Sequence, residues 1–168
     1  NVMGGMQDNG SWHGPAYTWT SGSIRNFYWN NLSGGDGFDA AADPENNDWI
    51  YSMSQEGELQ KGNVVTGEEM RIKPPTPDAK TYLRFNWNAA FAQDPTDAKT
   101  IYYASQFLHK STNKGLSWQT ISPDLTTDNK QQQNQENNGG LSIDITGAEN
   151  FNTILCIAPS AKDDKIIW

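Results

Sequence analysis

Cysteine occurs once in 168 residues, so no internal disulfide staples the chain, and Cys156, set among Ile154, Leu155 and Ile157, reads as a buried, inert thiol. Basic residues are scarce: 12 Lys and Arg stand against 20 Asp and Glu, without a basic cluster, for a net charge of -8 and a pI near 4.6. Phosphate backbones and anionic membrane surfaces are therefore poor partners, and no nucleic acid is expected. No apolar run approaches the ~20 residues that span a bilayer, which argues against membrane insertion. The two histidines, His13 and His109, lack any metal-ligand spacing. No metal or cofactor is expected. Asn1 opens inside what reads as a strand, with neither initiator Met nor signal peptide, so the chain is expected to be a piece of something longer.

Amides fill the place of charge: 17 Asn and 10 Gln accompany 15 Gly, 8 Pro, 7 Trp, 6 Tyr and 6 Phe. Aromatic residues suit pleated, half-buried surfaces, and Gly, Asn and Pro supply turns, so an all-β chain is expected. A phrase recurs: Val2 to Gln7, Ile50 to Gln55 and Ile101 to Gln106 each run from a β-branched residue to a Gln, at spacings of 48 and 51. Ala41-Ala42-Asp43-Pro44 and Ala92-Gln93-Asp94-Pro95 keep the spacing of 51, and Ala158-Pro159-Ser160-Ala161 follows after 66. The extra length falls in an amide tract, 128–138, that reads as a solvated loop. A period near 50 built from short strands and turns is the mark of a β-propeller of four-stranded antiparallel blades.

That period divides the chain into one partial propeller: 1–37, the end of a first blade and its connection; 38–88, a second blade; 89–125, a third; 126–150, the polar loop and a connection; and 151–168, the start of a fourth. The second blade's strands are expected at 38–42, 49–54, near 58–61 and at 69–73, and the third's at 89–92, 101–105, 107–111 and 117–121. The first and last strands are expected to present open edges unless other polypeptide covers them.

Ser111-Thr112-Asn113-Lys114-Gly115-Leu116-Ser117-Trp118 reads as a hairpin turn, with Ser111 and Asn113 bonding local backbone, Gly115 at positive φ and Trp118 packing the turn onto its blade. It resembles the Asp-box, or bacterial neuraminidase repeat, with Asn113 in place of the Asp and Ser117 in place of the Thr. With 4–11, 34–38, 86–88, 121–125 and 146–150, the chain resembles the bacterial sortilin-like Asp-box propeller proteins, often labelled glycosyl hydrolase or xyloglucanase-like. The resemblance implies an extracellular, periplasmic or cell-surface setting, a structural role for the Asp-box at the rim, and the remaining blades, in the same or another chain, as partners. A sialidase is excluded by arginine content: Arg25, Arg71 and Arg84 are the whole supply.

Ligand-binding residues are expected on the connections that lead into each blade's first strand. Those connections hold Asp36; Asn86, Trp87 and Asn88; and Glu149 and Asn150; Asp8, Asn9, Trp12 and His13 join them from the first unit. Amides and carboxylates beside aromatic rings suit sugars, whose hydroxyls need polar partners and whose ring faces stack on indole. Asp36 and Glu149 are the candidate catalytic carboxylates. Two functions stay open: a module that binds a glycan, peptide or protein, and part of a glycoside hydrolase.

Overall fold

The structure is a computed structural model that describes residues 1–134 and 150–168. The described residues are all-β, with three antiparallel sheets, and they divide into two compact units, 1–54 with 58–72 and 55–57 with 73–168. The first unit holds a three-stranded sheet, β1 (Val2–Met6), β2 (Gly10–Gly14) and β3 (Asn30–Ser33), and a four-stranded one, β4 (Ala40–Asp43), β5 (Asn46–Ser54), β6 (Glu58–Asn63) and β7 (Glu69–Arg71). The second unit carries β8 (Phe91–Gln93), β9 (Ile101–Ala104), β10 (Leu108–Ser111) and β11 (Gln119–Thr120) in one sheet. Every sheet is a meander, its spatial order following the chain.

The strands expected from the repeat are found with edges shifted by up to three residues, and the repeat is one of register as well as sequence. Ala42 faces Ile50 and Ala41 faces Tyr51; at a shift of 51, Gln93 faces Ile101 and Ala92 faces Tyr102. At the C-terminal end Ala158 and Trp168 exchange hydrogen bonds of 2.8 and 3.0 Å, the same pairing moved by a further 66. In the first sheet Met6 faces Gly10 as Ser54 faces Glu58, a shift of 48, so β1, β2 and β3 match β5, β6 and β7.

The turns between first and second strands repeat bond for bond. Asp43 Oδ1, Asp94 Oδ1 and Ser160 Oγ accept the N–H two residues on, from Glu45 (3.0 Å), Thr96 (2.8 Å) and Lys162 (3.2 Å). Asn46, Asp97 and Asp163 do the same for Asp48, Lys99 and Lys165, each at 3.0 Å. Short polar side chains that bond their own backbone are what make these turns close.

Asp43 is buried, and its Oδ2 meets Lys61 Nζ at 2.7 Å; the ammonium also stands 5.1 Å from the rings of Trp49 and Tyr51. Burial, then the charges of Asp43 and Glu45, push the Tyr51 hydroxyl pKa up. In the second unit Asp94 instead accepts the Tyr102 hydroxyl at 3.0 Å, with Lys110 Nζ 5.6 Å from that ring. Strand β9 is buried along its whole length, consistent with its unbroken apolar run Ile101-Tyr102-Tyr103-Ala104, and Ala90, Tyr102, Ala104 and Ile157 form a core beside it.

Buried His109 on β10 ties Ser105, the residue after β9, to β11, with Nε2 2.9 Å from Ser105 Oγ and Nδ1 3.1 Å from Thr120 Oγ1. Desolvation lowers its pKa from 6.5 to about 4. In the 111–118 turn Ser111 Oγ accepts the N–H of Gly115 (2.8 Å) and of Asn113 (3.3 Å) and donates to Asn113 Oδ1 (2.9 Å), which also takes the Ser117 N–H (2.9 Å). Gly115 has φ 91, and Trp118 is half-buried, its ring 6.5 Å from that of Tyr103.

Two expectations are corrected. Cys156 is exposed: Ile157 turns inward and Ile154 packs on the core, which leaves Leu155 and Cys156 outward. The amide tract is not loop throughout, because Lys130–Gln133 forms a single helical turn (α1) capped by Asn129, whose side chain accepts the N–H groups of Gln131 and Gln132.

Three outcomes are expected. Lys61→Met strands a buried carboxylate and costs about 3–5 kcal/mol in urea unfolding, while adding Asp43→Asn recovers most of the loss. His109 is neutral in the folded chain down to about pH 4, whereas the unfolded chain takes up its proton near 6.5. Stability is therefore intact above pH 6.5 and falls by about 3 kcal/mol as pH drops through that window, a slope that His109→Gln reduces in unfolding curves collected at stepped pH. Gly115→Val forces a β-branched residue to positive φ and costs about 2–3 kcal/mol by the same assay.

Candidate functional site

In the first unit, Asp8 sits in the β1–β2 turn at φ 62, and its N–H donates to Asp36 Oδ1 at 2.8 Å. Gly10 N–H donates to the Gly35 carbonyl at 2.8 Å, and Gly37 N–H to the Met6 carbonyl at 3.0 Å. These bonds lay the 34–39 connection against the β1–β2 turn. Glycine is required there: a Cβ on Gly5 or Gly37 would collide with the facing backbone. Asn9 serves the same turn, its Nδ2 donating to Gln7 O (3.1 Å) and its carbonyl accepting Trp12 Nε1 (2.7 Å). The structure thus joins Asp8 to Asp36 and Asn9 to Trp12, while His13 is buried within β2. Trp12 lines an apolar groove of about 680 Å³ with Val2–Met6, Asn26 and Trp29.

In the second unit the connections at 84–90 and 150–157 come together. Arg84 is the clasp: its guanidinium donates to Asp124 Oδ2 (2.7 Å), Thr126 Oγ1 (3.2 Å) and the Asn152 carbonyl (3.3 Å), and lies 3.4 Å from Asp128 Oδ1. Asn86 Nδ2 donates to Thr153 Oγ1 (3.1 Å) and Asn150 Nδ2 to the Phe85 carbonyl (3.2 Å), so each connection holds the other. Asn152, at φ 59, spends its side chain on Thr127, Gln132 and Gln133. The result is an open cup of about 460 Å³ lined by Asn86, Trp87, Asn150, Phe151, Asn152, Thr153 and Leu155.

Asn86, Trp87 and Asn150 are thus brought to one cavity, as the spacing of 66 suggests; Asn88 is exposed, its N–H donating to Asn86 Oδ1 at 3.1 Å. Glu149 lies outside the described residues. Phe151 and Leu155 join the cup without having been singled out; the signal for Phe151 was its place between two asparagines in a connection.

Chemically, the cup offers ring faces and amides. The Asn86 side chain spends one N–H on Thr153 and one lone pair on Asn88, which leaves a second donor and acceptor for a ligand. Among the described residues no carboxylate lines the cup, and no group of three or more His, Cys, Asp and Glu is placed to hold a metal ion. No helix among them is long and apolar enough to cross a membrane. Comparison with protein-family models and with curated proteins finds no match to this chain.

Proposed function

We propose that the chain is part of a β-propeller, each four-stranded meander a blade, and that the cup around Trp87 binds carbohydrate. The observation that carries the binding reading is the cup itself: two aromatic side chains, Trp87 and Phe151, among three asparagines in an open hollow. Sugar rings stack their C–H faces on such aromatics, and hydroxyls exchange hydrogen bonds with amides. The propeller reading is supported by the turn bonds that recur at 51 and 66 residues. Its Asp-box element is supported by the Ser111-centred turn between β10 and β11. A sortilin-like relationship and a secreted or cell-surface setting belong to the same proposal.

Binding is preferred to hydrolysis on chemical grounds. A glycosidase needs two carboxyl groups about 5–5.5 Å apart for retention or about 6.5–9.5 Å for inversion. Among the described residues the cup has none, and the Asp36 carboxylate holds a turn through the Asp8 N–H.

The test is a glycan array followed by calorimetry on the hits. Trp87→Ala is expected to weaken oligosaccharide binding tenfold or more, about 1.4 kcal/mol, with thermal unfolding close to wild type. Failure of the wild-type chain to bind any plant or host glycan overturns the proposal, and release of reducing sugar shows a hydrolase instead.

A further inference from the structure

The second unit enters β8 through residues 73–90, a stretch without helix or strand, so its backbone groups need partners other than a ladder. Gln106, in the β9–β10 turn, supplies two of them. Its Oε1 accepts the Arg84 N–H at 2.9 Å, and its Nε2 donates to the Tyr82 carbonyl at 2.9 Å. A side-chain amide carries the donor and acceptor of a peptide unit, and here it bonds both sides of Leu83 as one residue of a neighbouring strand would. Leu83 and Phe85 are buried, and Arg84 between them is turned to the clasp.

The same turn holds the facing segments. The Gln106 carbonyl accepts the Leu125 N–H and the Ser105 carbonyl accepts the Ile154 N–H, each at 3.0 Å. Leu125 lies between Asp124 and Thr126, which receive the Arg84 guanidinium, and Ile154 follows Thr153, which receives Asn86. Three segments around the cup, 82–86, 124–126 and 150–154, thus depend on two consecutive residues.

Gln106 is buried and lies outside the lining of the cup, so its influence passes through other residues. The glutamine that recurs at 7, 55 and 106 is exposed at the first position, half-buried at the second and buried at the third. A buried amide stripped of one bond leaves a polar group stranded, which favours both bonds being made together.

We propose that Gln106 is the positioning residue of the cup. Its amide sets the 82–84 backbone, Arg84 and Asn86 carry that placement to the facing connection, and Trp87 is placed as a result. The identity of the ligand rests on the carbohydrate reading above, whereas the placement of the cup's side chains rests on Gln106 and is measured without ligand. The two are coupled: a sugar that favours the assembled cup protects the Arg84 amide, and a chain lacking the Gln106 bonds binds that sugar less tightly.

The experiment compares Gln106→Met, which keeps the length and loses both bonds, with Gln106→Glu, which still accepts from Arg84 but cannot donate to Tyr82. In 15N spectra of the 168-residue chain, Gln106→Met is expected to shift the side-chain amide signals of Asn86 and Asn150 and to speed exchange of the Arg84 amide at least tenfold. The Gly115 and Ser117 amides, held within their own turn, stay as in wild type. By calorimetry, affinity for the best glycan of the array falls about tenfold in Gln106→Met and about threefold in Gln106→Glu. In wild type the Arg84, Leu125 and Ile154 amides are expected to exchange through one common opening, a measurement that decides even where a variant unfolds. The proposal is overturned if the Asn86 and Asn150 signals stay in place in both variants, or if those three amides open at unrelated rates. It is also overturned if Gly115→Val, which destabilises the same sheet from outside the cup lining, weakens glycan binding as much as Gln106→Glu. A wild-type chain that binds no glycan sinks the carbohydrate reading, and the Asn86 and Asn150 signals still decide the role of Gln106.

Discussion

A carboxylate that serves two masters organises the first unit. One oxygen of Asp43 closes the turn into β5 and the other neutralises Lys61, so a single buried side chain links β4, the turn and β6 across the intervening strand. Neither charge is tolerable alone at that depth, and the pair is stable only in one geometry. A slip of β6 by one residue would carry Lys61 to the opposite face, so the ion pair fixes the register that the backbone ladder alone leaves open. The second unit solves the same problem with a neutral donor. The Tyr102 hydroxyl, its pKa pushed up to about 12 first by burial and then by Asp94, stays protonated and gives Asp94 its partner without a second buried charge in direct contact.

Much of the strand pattern was legible because each hairpin carries its own instructions. Asp-Pro and Gly-containing turns at constant spacing frame runs of β-branched and aromatic residues, and the turn bonds that Asp43, Asp94 and Ser160 accept reach no more than three residues ahead. Strand edges were less legible, for tertiary reasons. Phe38 reads as strand, but its N–H bonds to the Met53 carbonyl, one residue out of the register that pairs Ala40 with Ser52, so regular pairing begins at Ala40. Ser117 reads as strand, but Asn113 Oδ1 takes its N–H and holds it in the turn. Cys156 misled because an apolar neighbourhood in sequence says nothing about which side of an extended segment faces the core.

The candidate site divides in the same way. Asn86, Trp87 and Asn150 were visible from repeat position alone, since equivalent connections occupy equivalent places. The role of Arg84 was not, because its contacts lie 40 to 68 residues away and are made by side chains that look like ordinary loop polarity. The tie between Asp8 and Asp36 was hidden for a similar reason: it spans 28 residues and requires Asp8 in a left-handed conformation. Long-range polar contacts leave no periodic trace.

The bond-for-bond repetition of the first-to-second-strand turn bears on the order of assembly. Each such hairpin closes through contacts a few residues apart, so the loop entropy lost is small and closure belongs to the microsecond regime. The clasp at Arg84, by contrast, joins segments 68 residues apart and must wait until both have formed. Folding of the second unit is therefore expected to begin in local hairpins and to end in the step that shapes the cup, which is then the last part to be made and the first to open under stress.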